Sequence, residues 1–233
     1  MHASPVLDPQ AAAVVERLHA LSDRQIRAGL ASFVFRSLLE WIRGGRADFT
    51  QTPQGKRLLS DKLVALDRDK AELCYLLCRA LHAHRVVEAG TSFGVSTIYL
   101  TSAVRDNAKA GTEIGIVIGT EHEPSKAAAA RANFADAGVE HFVELREGDL
   151  RETLKNVEAP VDFMLVDIWI PMARPALELV MPKLRPVAIV LCDNITQYER
   201  QYADYLSFVR TPSNAFRSTT LPMKGGLEMS VRI

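Results

Sequence analysis

The sequence lacks an excess of charge, a cysteine framework and any long apolar run. Its 28 Lys and Arg balance 28 Asp and Glu, so the formal net charge of the 233 residues is zero. Such a balance leaves no electrostatic footprint for nucleic acid or for an anionic membrane surface. No apolar stretch approaches the ~20 residues that span a bilayer, and the N-terminus lacks a basic-then-apolar export pattern. The expectation is a cytoplasmic protein that works on a small molecule, with neither nucleic acid nor membrane as partner. Three cysteines are an odd number, and Cys74, Cys78 and Cys192 lack the C-x-x-C spacing of a metal or redox pair. They read as reduced thiols in a core. There is no internal repeat and no low-complexity segment. Hydrophobic residues at 48% and charged residues at 24% are ordinary for a globular protein.

What is present begins at Arg85. The β-branched run to Glu88 reads as a buried strand, Gly90 breaks it, and Gly94 lets the backbone pass close to a neighbour. From Val95, the residues Val95, Ile98, Tyr99 and Leu100 fall at helical spacing. A strand that ends in a glycine turn and opens a helix makes a ligand crevice at the carboxyl edge of a parallel sheet. Free N–H groups at the helix start favour an oxygen-rich partner. Gly90-Thr91-Ser92-Phe93-Gly94 is not G-x-G-x-x-G, so a dinucleotide pyrophosphate is disfavoured. Glu88 just before the turn would repel a pyrophosphate and suit a cationic amino acid. Glu121, at the tip of the next predicted strand, can accept hydrogen bonds from both hydroxyls of a ribose. Two carboxylates around one glycine loop suit a nucleoside that carries an amino acid, such as S-adenosylmethionine.

After Ser60, strands and helices alternate. The pattern predicts a helix over 61–83 capped by Ser60, then strands at 85–89, 114–120, 141–146, 161–166 and 187–192. Between and after them fall helices at 92–108, 124–137, 173–184 and 198–209, with a short one from Leu150. This alternation predicts an α/β fold, a doubly wound and mostly parallel sheet covered on both faces. Two final strands, 215–221 and 227–232, joined through Lys224-Gly225-Gly226, predict a hairpin that brings an antiparallel strand into the sheet. The first 55 residues differ in kind. They read as an N-terminal extension of two amphipathic helices, 10–26 and 29–42, split near Gly29 and linked to the rest through Thr52-Pro53-Gln54-Gly55. It would serve as a cap over the crevice or as a dimer contact, with residues 56–233 as the main domain.

The chain resembles the class I S-adenosylmethionine-dependent methyltransferases, in the small O-methyltransferase group related to catechol O-methyltransferase. The resemblance rests on Val86–Leu100, Gly119-Thr120-Glu121, Glu147-Gly148-Asp149, Val166-Asp167-Ile168-Trp169, Cys192-Asp193-Asn194 and Gly226-Leu227-Glu228, in that order. It implies a seven-stranded Rossmann-like sheet and a homodimer. It also implies a donor site formed by Glu88, Gly90, Thr91, Ser92, Gly94, Ser96, Glu121, His122, Gly148, Asp149, Leu150, Asp167 and Trp169. Glu88 and the loop would surround the methionine part, Glu121 the ribose, and Asp149 the adenine amino group, although Asp149 also reads as a helix N-cap.

On the acceptor side, Asp167, Asp193 and Asn194 stand at carboxyl ends of neighbouring predicted strands. Two carboxylates and an amide oxygen form a hard, oxygen-only set suited to Mg²⁺ or Ca²⁺. The resemblance implies an ion there that chelates two adjacent hydroxyls of a catechol-like acceptor. The other reading of Asp193-Asn194 is a turn. Three positions depart from the family pattern. Ile170 stands where the family carries a lysine base, Ala173 where a tyrosine is frequent, and Val187 where a glycine is usual. Proton removal would then fall to the ion with water, or to Lys62, His122 or Arg174. Alternatively the chain is a metal-independent N-, S- or carboxylate methyltransferase, or a silent S-adenosylmethionine-binding protein.

Overall fold

A computed structural model describes residues 4–42, 63–111 and 113–233. Helix α1 (Pro9–Ile42) opens the chain. Asp8 caps it, its Oδ1 accepting the N–H groups of Gln10 and Ala11 at 2.9 and 3.1 Å. Ala11, Val14, Val15 and Leu18 recur at helical spacing and are buried. The two helices expected here are one continuous helix. A single glycine inside a helix costs only ~1 kcal/mol relative to alanine, too little to break it. The linker expected at 52–55 lies outside the described residues.

Helix α2 (Arg68–Ala80) begins later than the expected 61. Residues 63–67 are irregular, and the Asp67 carbonyl accepts the N–H groups of Lys70 and Ala71 to start the helix. Ser60, Asp61 and Lys62 are outside the described residues. There follow β1 (Arg85–Ala89), α3 (Val95–Lys109), β2 (Ile116–Glu121), α4 (Pro124–Asp136), β3 (Val143–Glu147), α5 (Leu150–Thr153) and β4 (Val161–Val166). The chain continues through α6 (Ile170–Val180), β5 (Leu184–Asp193), α7 (Ala203–Arg210), β6 (Phe216–Leu221) and β7 (Leu227–Arg232). Helix α3 starts three residues after the expected 92 because Ser92 and Gly94 are left-handed, with φ of 50° and 85°.

The sheet order is β3-β2-β1-β4-β5-β7-β6. Strands β1 to β5 are parallel, and β7 runs antiparallel to both β5 and β6. This is the α/β, mostly parallel seven-stranded sheet that the pattern predicts. One apolar cluster joins α1, α2, α3 and α4 to one face of the sheet, and a second joins α5, α6 and α7 to the other. The strand order reverses between β1 and β4, where a doubly wound sheet opens a crevice at its carboxyl edge. Cys74, Cys78 and Cys192 are buried free thiols. Among the described residues no helix is long and apolar enough to cross a membrane.

Candidate active site

A cleft of about 750 Å³ opens at that reversal, ringed by the tips of β1, β2, β3, β4 and β5. All the site residues expected from the sequence line it except Glu88 and Gly94. The loop after β1 is held by close approach. A Cβ on Gly90, whose φ is 98°, would lie 2.1 Å from the Asp167 carbonyl oxygen, so only glycine lets β1 and β4 end side by side. A Cβ on Gly94 would strike the Phe134 ring at 2.4 Å. The absence of a side chain at Gly94 therefore lets the loop pack on α4.

Glu88 is fully buried beneath this loop. Its carboxylate accepts hydrogen bonds from Thr91 Oγ1 at 2.9 Å, Ser96 Oγ at 2.6 Å and Thr97 Oγ1. Burial pushes its proton affinity up, and the three hydroxyls oppose that rise. The expectation that Glu88 grips an amino acid directly is thus corrected. Its oxygens are committed to the hydroxyls that shape the turn.

Glu121 holds the opposite lip. Its Oε2 accepts the Ser92 N–H and its Oε1 the Glu123 N–H, both at 2.8 Å, and it remains partly exposed to the cleft. Gly148, with φ of 123°, donates its N–H to the Glu121 carbonyl at 2.9 Å and so brings the β3 tip alongside. Asp149 caps α5 through the Arg151 N–H and pairs with the Arg151 guanidinium, which holds its carboxyl down at about 2. Leu150 is buried at the cleft floor, His122 is exposed at the rim, and Trp169 is 54% exposed. Trp169 is therefore a wall of the cleft and not a core residue.

The acceptor side differs from expectation. The Asp167 carboxyl faces the cleft, and no described residue donates a hydrogen bond to it. Burial raises its proton affinity, and the nearby Asp193 and Glu88 carboxylates raise it further. Asp193 is only 4% exposed and is fully engaged. Its Oδ1 accepts from Lys70 Nζ at 2.5 Å and from the Asn194 backbone N–H at 2.7 Å, and its Oδ2 accepts from Asn194 Nδ2 at 3.0 Å. Asn194 is left-handed, with φ of 61°, and its Oδ1 lies against the hairpin turn, 2.9 Å from where a Gly225 Cβ would stand.

This arrangement does not fit the expected Mg²⁺ or Ca²⁺. One carboxylate already holds an ammonium, and the amide nitrogen of Asn194 is turned toward it while its oxygen is turned toward the hairpin. A divalent ion on Asp193 would stand within about 5 Å of Lys70 Nζ, a repulsion on the order of 7 kcal/mol at an effective dielectric of ~20. Among the described residues no group of three or more His, Cys, Asp or Glu side chains is placed to hold a metal ion.

Of the substitute bases, Lys62 is outside the described residues. Arg174 is paired with Glu178 and Asp204 away from the cleft. Ala173 is buried, and Ile170 does not line the cleft. Sequence reasoning missed Lys70, the 63–67 segment, Met172, Tyr198 and the Lys224 turn, all but the first of which line the cleft. A signal for Lys70 existed. It lies four residues before Cys74 and eight before Cys78, on the stripe that α2 buries.

Comparison with known proteins finds similarity to methyltransferases. A family model described as a methyltransferase domain matches residues 87–195. A catechol O-methyltransferase of Mycobacterium tuberculosis is 34% identical over 105 residues, which is 45% of this chain and 44% of that protein. A catechol O-methyltransferase of Niastella koreensis is 25% identical over 136 residues, 57% of this chain and 58% of that one. The matches span about half the length of these curated relatives. Among solved structures, the O-methyltransferase TomG of Streptomyces achromogenes, in complex with S-adenosylmethionine, has a TM-score of 0.66 at 23% identity. That likeness covers 81% of this chain and 91% of TomG. An O-methyltransferase of Bacillus cereus, in complex with S-adenosylhomocysteine, has a TM-score of 0.66 at 20% identity, covering 81% and 92%. These two likenesses show the fold. The family match and the curated relatives show that residues 87–195 and their surroundings are similar to methyltransferases, two of them catechol O-methyltransferases.

Proposed function

We propose that this relative of the class I O-methyltransferases binds S-adenosylmethionine in the cleft at the β1–β4 reversal and transfers its methyl group to an oxygen of a small hydroxylated acceptor. The observation that carries the reading is the loop from Gly90 to Ser96 facing the partly exposed Glu121 carboxylate, inside a domain that matches the methyltransferase model. The ribose hydroxyls donate to Glu121, the nucleoside runs past Gly148 to Leu150, and the sulfonium methyl points toward the β4 and β5 tips. A cleft of this size is ample for such a donor together with a small acceptor.

The acceptor end has a wall of Trp169, Met172 and Tyr198, which suits an aromatic or otherwise flat compound. The hydroxyl oxygen attacks the methyl carbon in line, the carbon–sulfur bond breaks, and the electron pair returns to sulfur as a neutral thioether. The hydroxyl proton goes to the Asp167 carboxylate. Asp167 is suited to that task because it faces the cleft and its proton affinity is raised, which makes it a stronger base than a surface aspartate. Positioning supplies the rest of the acceleration.

Incubation with S-adenosylmethionine and a panel of catechols and other polyhydroxy aromatics should yield methyl ethers and S-adenosylhomocysteine. Methyl transfer only to nitrogen, sulfur or carboxylate acceptors, or donor binding with no transfer, would replace this reading by one of the other two that the missing lysine allows.

A further inference from the structure

We propose that the Lys70 ammonium occupies the place of a divalent ion at the acceptor rim, so that this chain carries its own cation there and binds no Mg²⁺ or Ca²⁺ at Asp193. The exclusion of the ion stands on the geometry alone. The further consequence, that methyl transfer is independent of divalent ions, rests on the function proposed above.

Lys70 is fully buried. A lysine is almost never so placed unless it is paired, because removing an ammonium from water is costly. Its partner is Asp193 at 2.5 Å, with Asp67 Oδ2 at 3.6 Å on the other side. Asp67 Oδ1 in turn accepts from Lys224 Nζ at 2.9 Å, from the turn between β6 and β7. The charges alternate along one line: Lys224, Asp67, Lys70, Asp193. That line joins the start of α2, the tip of β5 and the hairpin, and it closes one side of the cleft. Asp67, Asp193, Asn194 and Lys224 all line the cleft, whereas Lys70 lies beneath them.

The rim holds three carboxylates, Asp67, Asp167 and Asp193; Lys224 and Lys70 already pair with Asp67, and Lys70 with Asp193. What is left is one carboxylate, too few oxygen ligands for a tightly held Mg²⁺ or Ca²⁺. Lys70 does not touch the cleft space, so it is a positioning residue: it fixes the Asp193 carboxylate and keeps a second cation out. Had α2 been turned by one residue, Lys70 would face solvent and Asp193 would be open to an ion.

The test uses the full chain and Mn²⁺ as the probe, with free Mn²⁺ followed by its paramagnetic resonance signal. S-adenosylhomocysteine-induced thermal shift is read on the same samples. The wild type should leave Mn²⁺ free in solution while its melting temperature rises with S-adenosylhomocysteine, and chelator should change methyl transfer by less than about twofold. Lys70→Ala should take up about one Mn²⁺ per chain by uncovering the oxygen set, and adding Asp193→Asn to it should abolish that uptake. Uptake of Mn²⁺ by the wild type that is lost in Asp193→Asn would overturn the proposal. So would loss of activity in chelator with recovery on Mg²⁺, or a folded Lys70→Ala variant that gains no Mn²⁺. If Lys70→Ala fails to fold, the wild-type measurements decide. A missing thermal shift with S-adenosylhomocysteine would strike the proposed function and leave the ion exclusion standing or falling on the Mn²⁺ result.

Discussion

The donor and acceptor ends of the cleft treat their carboxylates in opposite ways. At the donor end, Glu88 and Glu121 are held by neutral groups, three hydroxyls for the first and two backbone N–H groups for the second. At the acceptor end, Asp193 is held by a buried ammonium and Asp167 by no described donor. Neutral donors fix a carboxylate while leaving its charge to act on a cationic ligand. An ammonium fixes a carboxylate and cancels its charge. Under the proposed function, the partly exposed Glu121 faces a sulfonium nucleoside while the buried Glu88 shapes the loop from beneath. The acceptor end is built with one active carboxylate where the family resemblance implies an ion held by three ligands.

The contrast can be broken most severely at Glu88. Glu88→Ala would leave three buried hydroxyls without their acceptor, and at about 1–3 kcal/mol for each unsatisfied group the loss should be at least ~3 kcal/mol. Urea unfolding measures it. A loss below ~1 kcal/mol would show that Glu88 is not the knot of the loop.

Asp167→Asn comes next. Removing a general base costs about 10²-fold or more in rate, while S-adenosylhomocysteine binding should remain. Turnover assays and titration calorimetry separate the two. The pH profile sharpens the same point. With the Asp167 carboxyl pushed up to about 8 by burial and by Asp193 and Glu88, activity should climb with pH toward that value as the carboxylate forms. Stability has the opposite sign. A carboxyl raised above its unfolded value of 3.8 adds stability that is complete below that pH and is lost as pH rises through about 8. A flat rate profile between pH 6 and 9 would remove Asp167 as the base.

Glu121→Ala should weaken S-adenosylhomocysteine by roughly tenfold, about 1.4 kcal/mol. The smallest effect is expected away from both ends. Val187 in β5 has φ of 60° and is 56% exposed, a left-handed conformation that a β-branched residue adopts at a cost. Val187→Gly should be neutral or stabilise by up to ~1 kcal/mol, raising the melting temperature by about 2–4 °C with activity unchanged.

The donor end was legible because its parts are consecutive. Glu88, the glycine turn and the start of α3 lie within ten residues, so their spacing alone implies a strand tip, a turn and a helix. What the spacing could not reveal is which way Glu88 points, because Thr91, Ser96 and Thr97 claim it only once the loop has closed. The mostly parallel sheet was legible from the alternation of strands and helices, and the hairpin from two final strands with no helix between them, whereas the strand order appears only in the fold. The two-helix reading of α1 failed because a glycine weakens a helix without ending it. The acceptor end was only half legible. Asp167, Asp193 and Asn194 reach the same rim as expected, but the partner that decides their chemistry is 123 residues before Asp193. Lys70 shares a helical stripe with Cys74 and Cys78, and a lysine on a buried stripe signals a buried anion. Only the packing of α2 on the sheet shows which anion it is.

The central claim is that a sulfonium nucleoside occupies this cleft with its ribose on Glu121. Titration calorimetry of S-adenosylhomocysteine into the wild type and into Glu121→Ala tests it most directly. The account predicts one molecule bound per chain and markedly weaker binding in the variant. No binding to the wild type, or equal affinity in the two proteins, would contradict it.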